Sequence, residues 1–465
     1  MTIWEPDITA VAGPKYLAIA NAIADAVADG NLLPGEKLPP QRNLAYDLGV
    51  TLGTITRAYQ EAMRRGYVDG EVGRGTYVLD PLHNAIPSGN FLSNSSPEDN
   101  NLDFSTATPA LGQAAEFLSL TLGEISREGN LDALTDYQKN TGLPEHLKAG
   151  ATWVSSFGLK APVDQIAITN GAQQGVLLSL MTVARPGELI LTEALTYPGI
   201  IHIAHQLGYQ LQGVAMDEDG IRPDDLEEIC RRSSPKALYT MPTLQNPTTI
   251  TMSTERRKEI AAIARKYDLY IIEDDIWGSL PENAPPPLSS YAPELSFYIC
   301  GLSKCMSGGL RVGYVLAPET RAQAMRGMVR LNNWMTAPLM AEIARRWLSD
   351  GTGDALIKWQ RNEARKRTTL TTAALSRFQI TAAPAAFHVW LELPQPWRAD
   401  AFRSEAERQG ILLVTGEAFV AGREAAPHAL RICTGGSKSI PDVKRGLDII
   451  TNILNQRPDS GFNLV

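Results

Sequence analysis

The stretch SKCMSGGLRVGYV sets Ser303 and Lys304 ahead of Gly308, Gly309 and Arg311, in sequence that is otherwise mostly small or apolar. A lysine so placed admits three readings: a Schiff base with an aldehyde cofactor, a phosphate contact, or an exposed loop residue with no task. Other positions bear on the choice, because each closes a β-like run, and ligands collect at the carboxyl ends of strands in an open α/β sheet. TNGAQQG (169–175) ends a strand with Gly171 and opens a helix, so the amides of Ala172 and Gln173 would face an anion. PTLQNP places Asn246 after the run ALYTM, where its side-chain amide can donate to a phenolic oxygen. IIEDDIWG ends an apolar run at Asp274, a carboxylate that is costly to bury unless it meets a cation such as a protonated ring nitrogen. Arg311, seven residues after Lys304, can clamp a phosphate with two donors.

Aldehyde, phenolate, ring nitrogen and phosphate are the handles of pyridoxal 5′-phosphate, and the series supplies a partner for each, which selects the Schiff-base reading of Lys304. Positioning such residues needs a sheet. From about residue 103 onward, helical stretches alternate with the runs IAITN, LILTE, ALYTMP, LYIIEDD and FYICG, a pattern that predicts an α/β fold with a largely parallel central sheet.

Residues 12–78 read differently. Apolar periodicity in YLAIANAIADAVADG predicts a helix ended by Gly30; QRNLAYDLG predicts a second after Pro40; and VTLGTITRAYQEAMRRG predicts a third, capped by Thr51 and stopped at Gly66. Two short β-like runs follow around Tyr67–Val68 and Thr76–Leu79, joined by a Gly-rich turn, which completes the plan of a winged helix-turn-helix. Residues 1–80 hold seven Lys/Arg against ten Asp/Glu, yet residues 37–65 hold five against two, so positive charge concentrates around the second and third helices. Residues 81–101 are rich in Pro, Ser, Asn and Gly and read as a linker.

The whole-chain net charge of −8 excludes a protein that coats nucleic acid by bulk electrostatics. No basic-then-apolar leader and no apolar run of spanning length is present, so a cytoplasmic location and no membrane partner are expected. Cys230, Cys300, Cys305 and Cys433 form no C-x-x-C pair and read as buried thiols; His202 and His205 have no third ligand, so no metal is expected.

Residues 30–78 resemble the GntR-type winged helix through GNLLPGEKLPPQRNLA, LGVTLGTITRAYQEAMRRGYV and GRGTYV. That resemblance implies that Arg42, Thr54 and Arg57 face DNA and that Arg74 on the wing reaches the backbone or minor groove. The chain departs from many members at Leu52, where they carry arginine, followed here by Gly53. Residues 103–465 resemble the class I aminotransferases of fold-type I, in the order G-A-Q-Q, T-Y-P-G, N-P-T, E-D-D, S-K, G-L-R-x-G-Y and a late L-R. By that resemblance Lys304 carries the internal aldimine, Asp274 pairs with the pyridine nitrogen, Asn246 donates to the ring oxygen and Tyr197 stacks on the ring. Ala172, Gln173, Ser303 and Arg311 hold the phosphate, Arg431 takes an amino-acid carboxylate, and Tyr137 reaches the phosphate of a neighbouring subunit in a homodimer. Trp277 stands where the family usually has a tyrosine, and Gly301 where many members have a phosphate-binding serine.

A GntR-type winged helix (1–80), a linker (81–102) and an aminotransferase-like domain (103–465) make the architecture of MocR-like transcription regulators. Within the last domain a large part is expected at about 145–345, and a small part at about 346–465 together with 103–130. The expected function is a regulator that binds double-stranded operator DNA and senses an amino acid or amine by aldimine exchange. The alternative is a working class I aminotransferase with a tethering or regulatory DNA-binding domain.

Overall fold

The apolar spacing of residues 15–28 buries Ile19 and Ile23 on one side of a helix, α1 (Lys15–Ala28), against two further helices. The computed structural model describes residues 4, 6, 14–33, 35–71, 75–79, 101–128, 131–138, 142–422, 425–436 and 438–456. Two compact units divide the chain, Met1–Ser96 and Pro97–Val465.

In the first unit, Asp29 caps α1, and Gly30 turns the chain at φ 73°, a conformation that suits glycine. α2 (Gln41–Asp47) begins after Pro40, whose missing N–H would be unpaired at a helix start in any case. α3 (Leu52–Arg64) is capped by Thr51, whose hydroxyl oxygen accepts from the Thr54 amide at 3.2 Å. Ile19, Ile23, Leu44, Ile55, Tyr59 and Val68 form the core, each worth about 1.5–3 kcal/mol when withdrawn from water. The antiparallel pair β1 (Val68–Glu71) and β2 (Gly75–Val78) forms the wing, in register from Val68 opposite Val78. Arg74 lies outside the described residues, as does most of the linker.

The charge distribution corrects one expectation. Arg64 and Arg65 both pair with Glu61 at 2.7 Å, and the Arg65 side chain is only 3% exposed, bonded also to Asn21 on α1 at 2.6 Å. Of the five cations in 37–65, Arg65 therefore ties α3 to α1, and Arg64 pairs within α3 itself.

The second unit is built on a seven-stranded sheet. Its strands run Ile166–Thr169, Gly313–Leu316, Ser296–Gly301, Tyr270–Asp274, Ala237–Thr240, Leu189–Glu193 and Gln210–Val214 from edge to edge. All are parallel except Gly313–Leu316, which runs against both neighbours. Helices cover the sheet, so its strands read as nearly unbroken apolar runs. A second sheet of four short antiparallel strands includes His388–Glu392 and Ala429–Cys433. The segment 103–130 divides: Leu102–Asp103 pairs with Ile411–Leu412 near this smaller sheet, whereas Ile125 on the helix Ala114–Glu128 packs into the core of the large one. No described helix is long and apolar enough to cross a membrane, and among the described residues no group of three His, Cys, Asp or Glu could hold a metal.

Candidate functional site

Three strand ends and one tight turn make a cradle for an anion. Gly171, at φ 82°, lets the strand Ile166–Thr169 turn into the helix Ala172–Val183, whose first amides lack partners within the helix. Arg311 adopts φ 51° and is exposed; its Nη1 donates to Ser303 Oγ at 3.2 Å and its Nη2 to the Asn170 carbonyl at 3.3 Å. A Cβ on Gly171 would stand 2.5 Å from Arg311 Nη2, and one on Gly313 would stand 2.9 Å from the Ala172 amide nitrogen. Glycine at both positions lets the guanidinium and the helix N-terminus approach. Gln173 is exposed at the same end and accepts from the Tyr197 hydroxyl at 3.4 Å.

Behind the cradle lie a buried carboxylate and a buried amine. Asp274 ends the strand Tyr270–Asp274; its Oδ2 accepts from the Tyr239 hydroxyl at 2.8 Å, while its buried Oδ1 has no partner. Burial pushes this carboxyl up to about 7, against the Tyr239 bond that pulls the other way. Of the neighbouring acids, Glu273 accepts from the Leu288 and Ser289 amides, and Asp275 accepts from the Tyr298 hydroxyl at 2.7 Å while its Oδ1, like that of Asp274, is buried without a partner. Lys304 Nζ donates to the Ala107 carbonyl at 2.5 Å and stands 5.3 Å from the Trp277 ring centre. Burial, with the positive charge of Arg431, brings its amine down to about 8. The Trp277 indole N–H is buried without a partner.

Asn246 and Arg431, read separately from the sequence, touch: Arg431 Nη1 donates to Asn246 Oδ1 at 2.7 Å, and Nη2 to the Ser105 carbonyl at 2.6 Å. The guanidinium also lies 4.8 Å from the Phe419 ring centre. Burial raises the Tyr197 phenol to about 12, and the nearby Asp274 adds to the shift. Tyr137 is not part of this cluster; it is 73% exposed and edge-on to Trp334 at 5.8 Å. On α2 and α3, Arg42 and Arg57 are exposed and Thr54 is half-buried.

Two features carry no sequence signal. His388, 1% exposed, has its ring 5.8 Å from that of Trp277 and its Nε2 3.3 Å from the Gln245 carbonyl. Burial and the charges of Arg431 and Lys304 hold it down to about 3, so it is neutral. A lone histidine in the apolar run AAFHVWLEL reads as core. The second feature is backbone: the carbonyls of Asp103, Ser105 and Ala107, on alternate residues, accept from Lys438, Arg431 and Lys304 respectively.

The donors and acceptors fit pyridoxal 5′-phosphate. The unpartnered Asp274 oxygen suits a protonated ring nitrogen, the Lys304 amine suits an aldehyde, and the amides, hydroxyl and guanidinium around Gly171 suit a phosphate. Residues 99–450 match the family model of aminotransferase class I and II, and residues 15–78 match that of bacterial regulatory proteins, gntR family. YdeF of Bacillus subtilis, an HTH-type transcriptional regulator, is 29% identical over 453 residues, 97% of each chain. The mitochondrial kynurenine/alpha-aminoadipate aminotransferase of Mus musculus is 32% identical over 213 residues, 40% of this chain and 49% of its own. Among solved structures, Pyrococcus horikoshii kynurenine aminotransferase superposes with a TM-score of 0.71 at 22% identity, over 78% of this chain and 97% of its own.

Proposed function

Since the chain belongs to the class I and II aminotransferase family and carries a gntR-type winged helix ahead of that domain, we propose that it is a pyridoxal-phosphate-dependent, DNA-binding transcription regulator that responds to an amino acid or amine. The observation that carries this reading is the grouping of Lys304, Asp274 and Arg431 around buried, incompletely satisfied polar atoms, in one chain with the winged helix. When bound, pyridoxal phosphate supplies an aldehyde that condenses with primary amines and a ring that draws electrons once its nitrogen is protonated. Asp274 holds that proton in place, because a cation at its free oxygen offsets the cost of burying the carboxylate. Lys304, with its lowered affinity for a proton, presents a neutral amine near pH 8. Arg311, Ser303 and the amides of Ala172 and Gln173 hold the phosphate, and Tyr197 covers the ring. Asn246 orients Arg431, which takes a ligand carboxylate. Tyr137, left exposed on this subunit, serves the site of a second copy in a homodimer. Arg42, Thr54, Arg57 and Arg74 form the DNA-facing set.

The kynurenine/alpha-aminoadipate aminotransferase likeness, at 32% identity, favours a second reading in which the domain also turns over. One set of measurements separates the two. The loaded protein is titrated with amines and amino acids, kynurenine and 2-aminoadipate among them, and its visible spectrum, affinity for duplex DNA and multiple-turnover transamination are followed. A regulator changes its spectrum and DNA affinity together, with little turnover. A spectral response without any change in DNA binding would refute the regulatory reading.

A further inference from the structure

α3 meets solvent through Leu52, Gly53, Arg57 and Gln60. Leu52 is the unexpected member: it is the first helical residue, it is 44% exposed, and it lies outside the core cluster of its unit. The hydroxyls around it are already engaged. Thr51 and Thr54 bond each other through their side chains at 2.9 Å, and Thr56 Oγ1 donates to Gln41 Oε1 at 2.8 Å and to the Leu52 carbonyl at 3.0 Å. Gly53 adds no side chain, and a Cβ there would meet only Thr51 Oγ1 at 3.9 Å. The leading end of the helix therefore presents an isobutyl group, and the long polar side chain bonded nearby, Gln41 of α2, has its oxygen engaged by Thr56. Exposed Arg42 on α2 and Arg57 on α3 lie to either side of it in the chain.

In a helix-turn-helix the leading residues of the second helix approach base edges in the major groove. There the apolar group that a base edge offers is the C5-methyl of thymine. Resting on the reading that the first unit binds duplex DNA, we propose that Leu52 reads thymine methyl groups. The operator half-site then carries thymine opposite the start of α3, and discrimination at that base comes from burying a methyl group. A bidentate hydrogen bond, which an arginine would make to guanine, plays no part there. Gly53 serves the same contact by leaving the helix end bare.

Replacing thymine by deoxyuridine removes the methyl and nothing else. Duplexes are enriched from a randomised library with the full-length, cofactor-loaded protein, and each thymine of the winning sequence is then replaced in turn. At one or two positions of each half-site the replacement should weaken wild-type binding about fourfold, the worth of one buried methyl. Leu52→Ala should bind the thymine duplex with a comparable loss and be indifferent to deoxyuridine at those same positions; Leu52→Val, which keeps part of the contact, should fall between. Salt-dependent binding to an enriched sequence with no deoxyuridine effect, or with the same effect in Leu52→Ala, overturns the thymine reading and leaves DNA binding standing. Failure to enrich any sequence overturns both.

Discussion

Lys304 should capture an aldehyde far faster at neutral pH than an ordinary lysine. With its amine near 8, about one molecule in eleven is neutral at pH 7, against about three in ten thousand at the usual 10.5. Burial lowers the amine most, and Arg431 is the next cause. In cofactor-free protein mixed with pyridoxal phosphate, the rate of appearance of the visible band, followed from pH 6 to 10, should rise with a midpoint near 8. Arg431→Met removes a like charge and should shift that midpoint upward, still short of 10.5 because burial remains. At pH 7 a shift of one unit would slow capture about tenfold. Pyridoxal phosphate has no carboxylate for Arg431 to bind, so the shift reports electrostatics alone. A wild-type midpoint at 10 or above, or coincident midpoints for the two proteins, would refute the reasoning.

Gly301→Ser should tighten retention of the cofactor about tenfold in dialysis against buffer, since a Cβ there meets Ala172 Cβ at an ordinary 3.5 Å and its hydroxyl adds a donor to an anion; unchanged retention would show that residue 301 does not face the phosphate. Burial would raise Glu342, but bonds from Arg345 and Arg346, helped by His146, hold it at about 2. Its contribution to stability is therefore complete above its ordinary 4.5 and is lost as the pH falls from there through about 2. Glu342→Gln should cost about 3 kcal/mol in denaturant unfolding at pH 7, and much less near pH 2; an equal cost at both would contradict the ion-pair account. Arg42→Ala should reduce the slope of log affinity for DNA against log salt by about 0.9, and an unaltered slope would take Arg42 off the DNA face.

Much of the fold was legible because its sheet is covered on both faces. The runs IAITN, LILTE, ALYTMP, LYIIEDD and FYICG coincide with strands, and the parallel arrangement followed from their alternation with helices. The short run GYVL became a strand against the grain of its neighbours, and four apolar residues hold no record of direction. Site residues were found where a charge interrupts an apolar run, as at Asp274. Glu273 and Asp275 are no less charged; both Glu273 oxygens are bonded, but Asp275 has, like Asp274, one tyrosine bond and one unpartnered oxygen, so bonding alone does not single out Asp274. Arg64 and Arg65 entered the count of DNA-facing charge because composition does not reveal that both lean on Glu61.

The contacts of Lys304, Arg431 and Lys438 with alternate backbone carbonyls have a geometric consequence. Only Leu102–Asp103 of this stretch is strand, and the chain bends at Ser105 and Thr106, so Arg431 and Lys304 fasten backbone beyond the strand while Lys438 fastens its last residue. Inserting or deleting one residue between Asp103 and Ala107 would displace the carbonyls on one side of the change from their donors, whereas a change of length before residue 101 leaves this spacing untouched. This stretch follows directly in sequence on the segment that leads from the winged helix. An event that draws the Lys304 amine away from Ala107, or the guanidinium away from Ser105, therefore changes how firmly the first residues of the second unit are pinned.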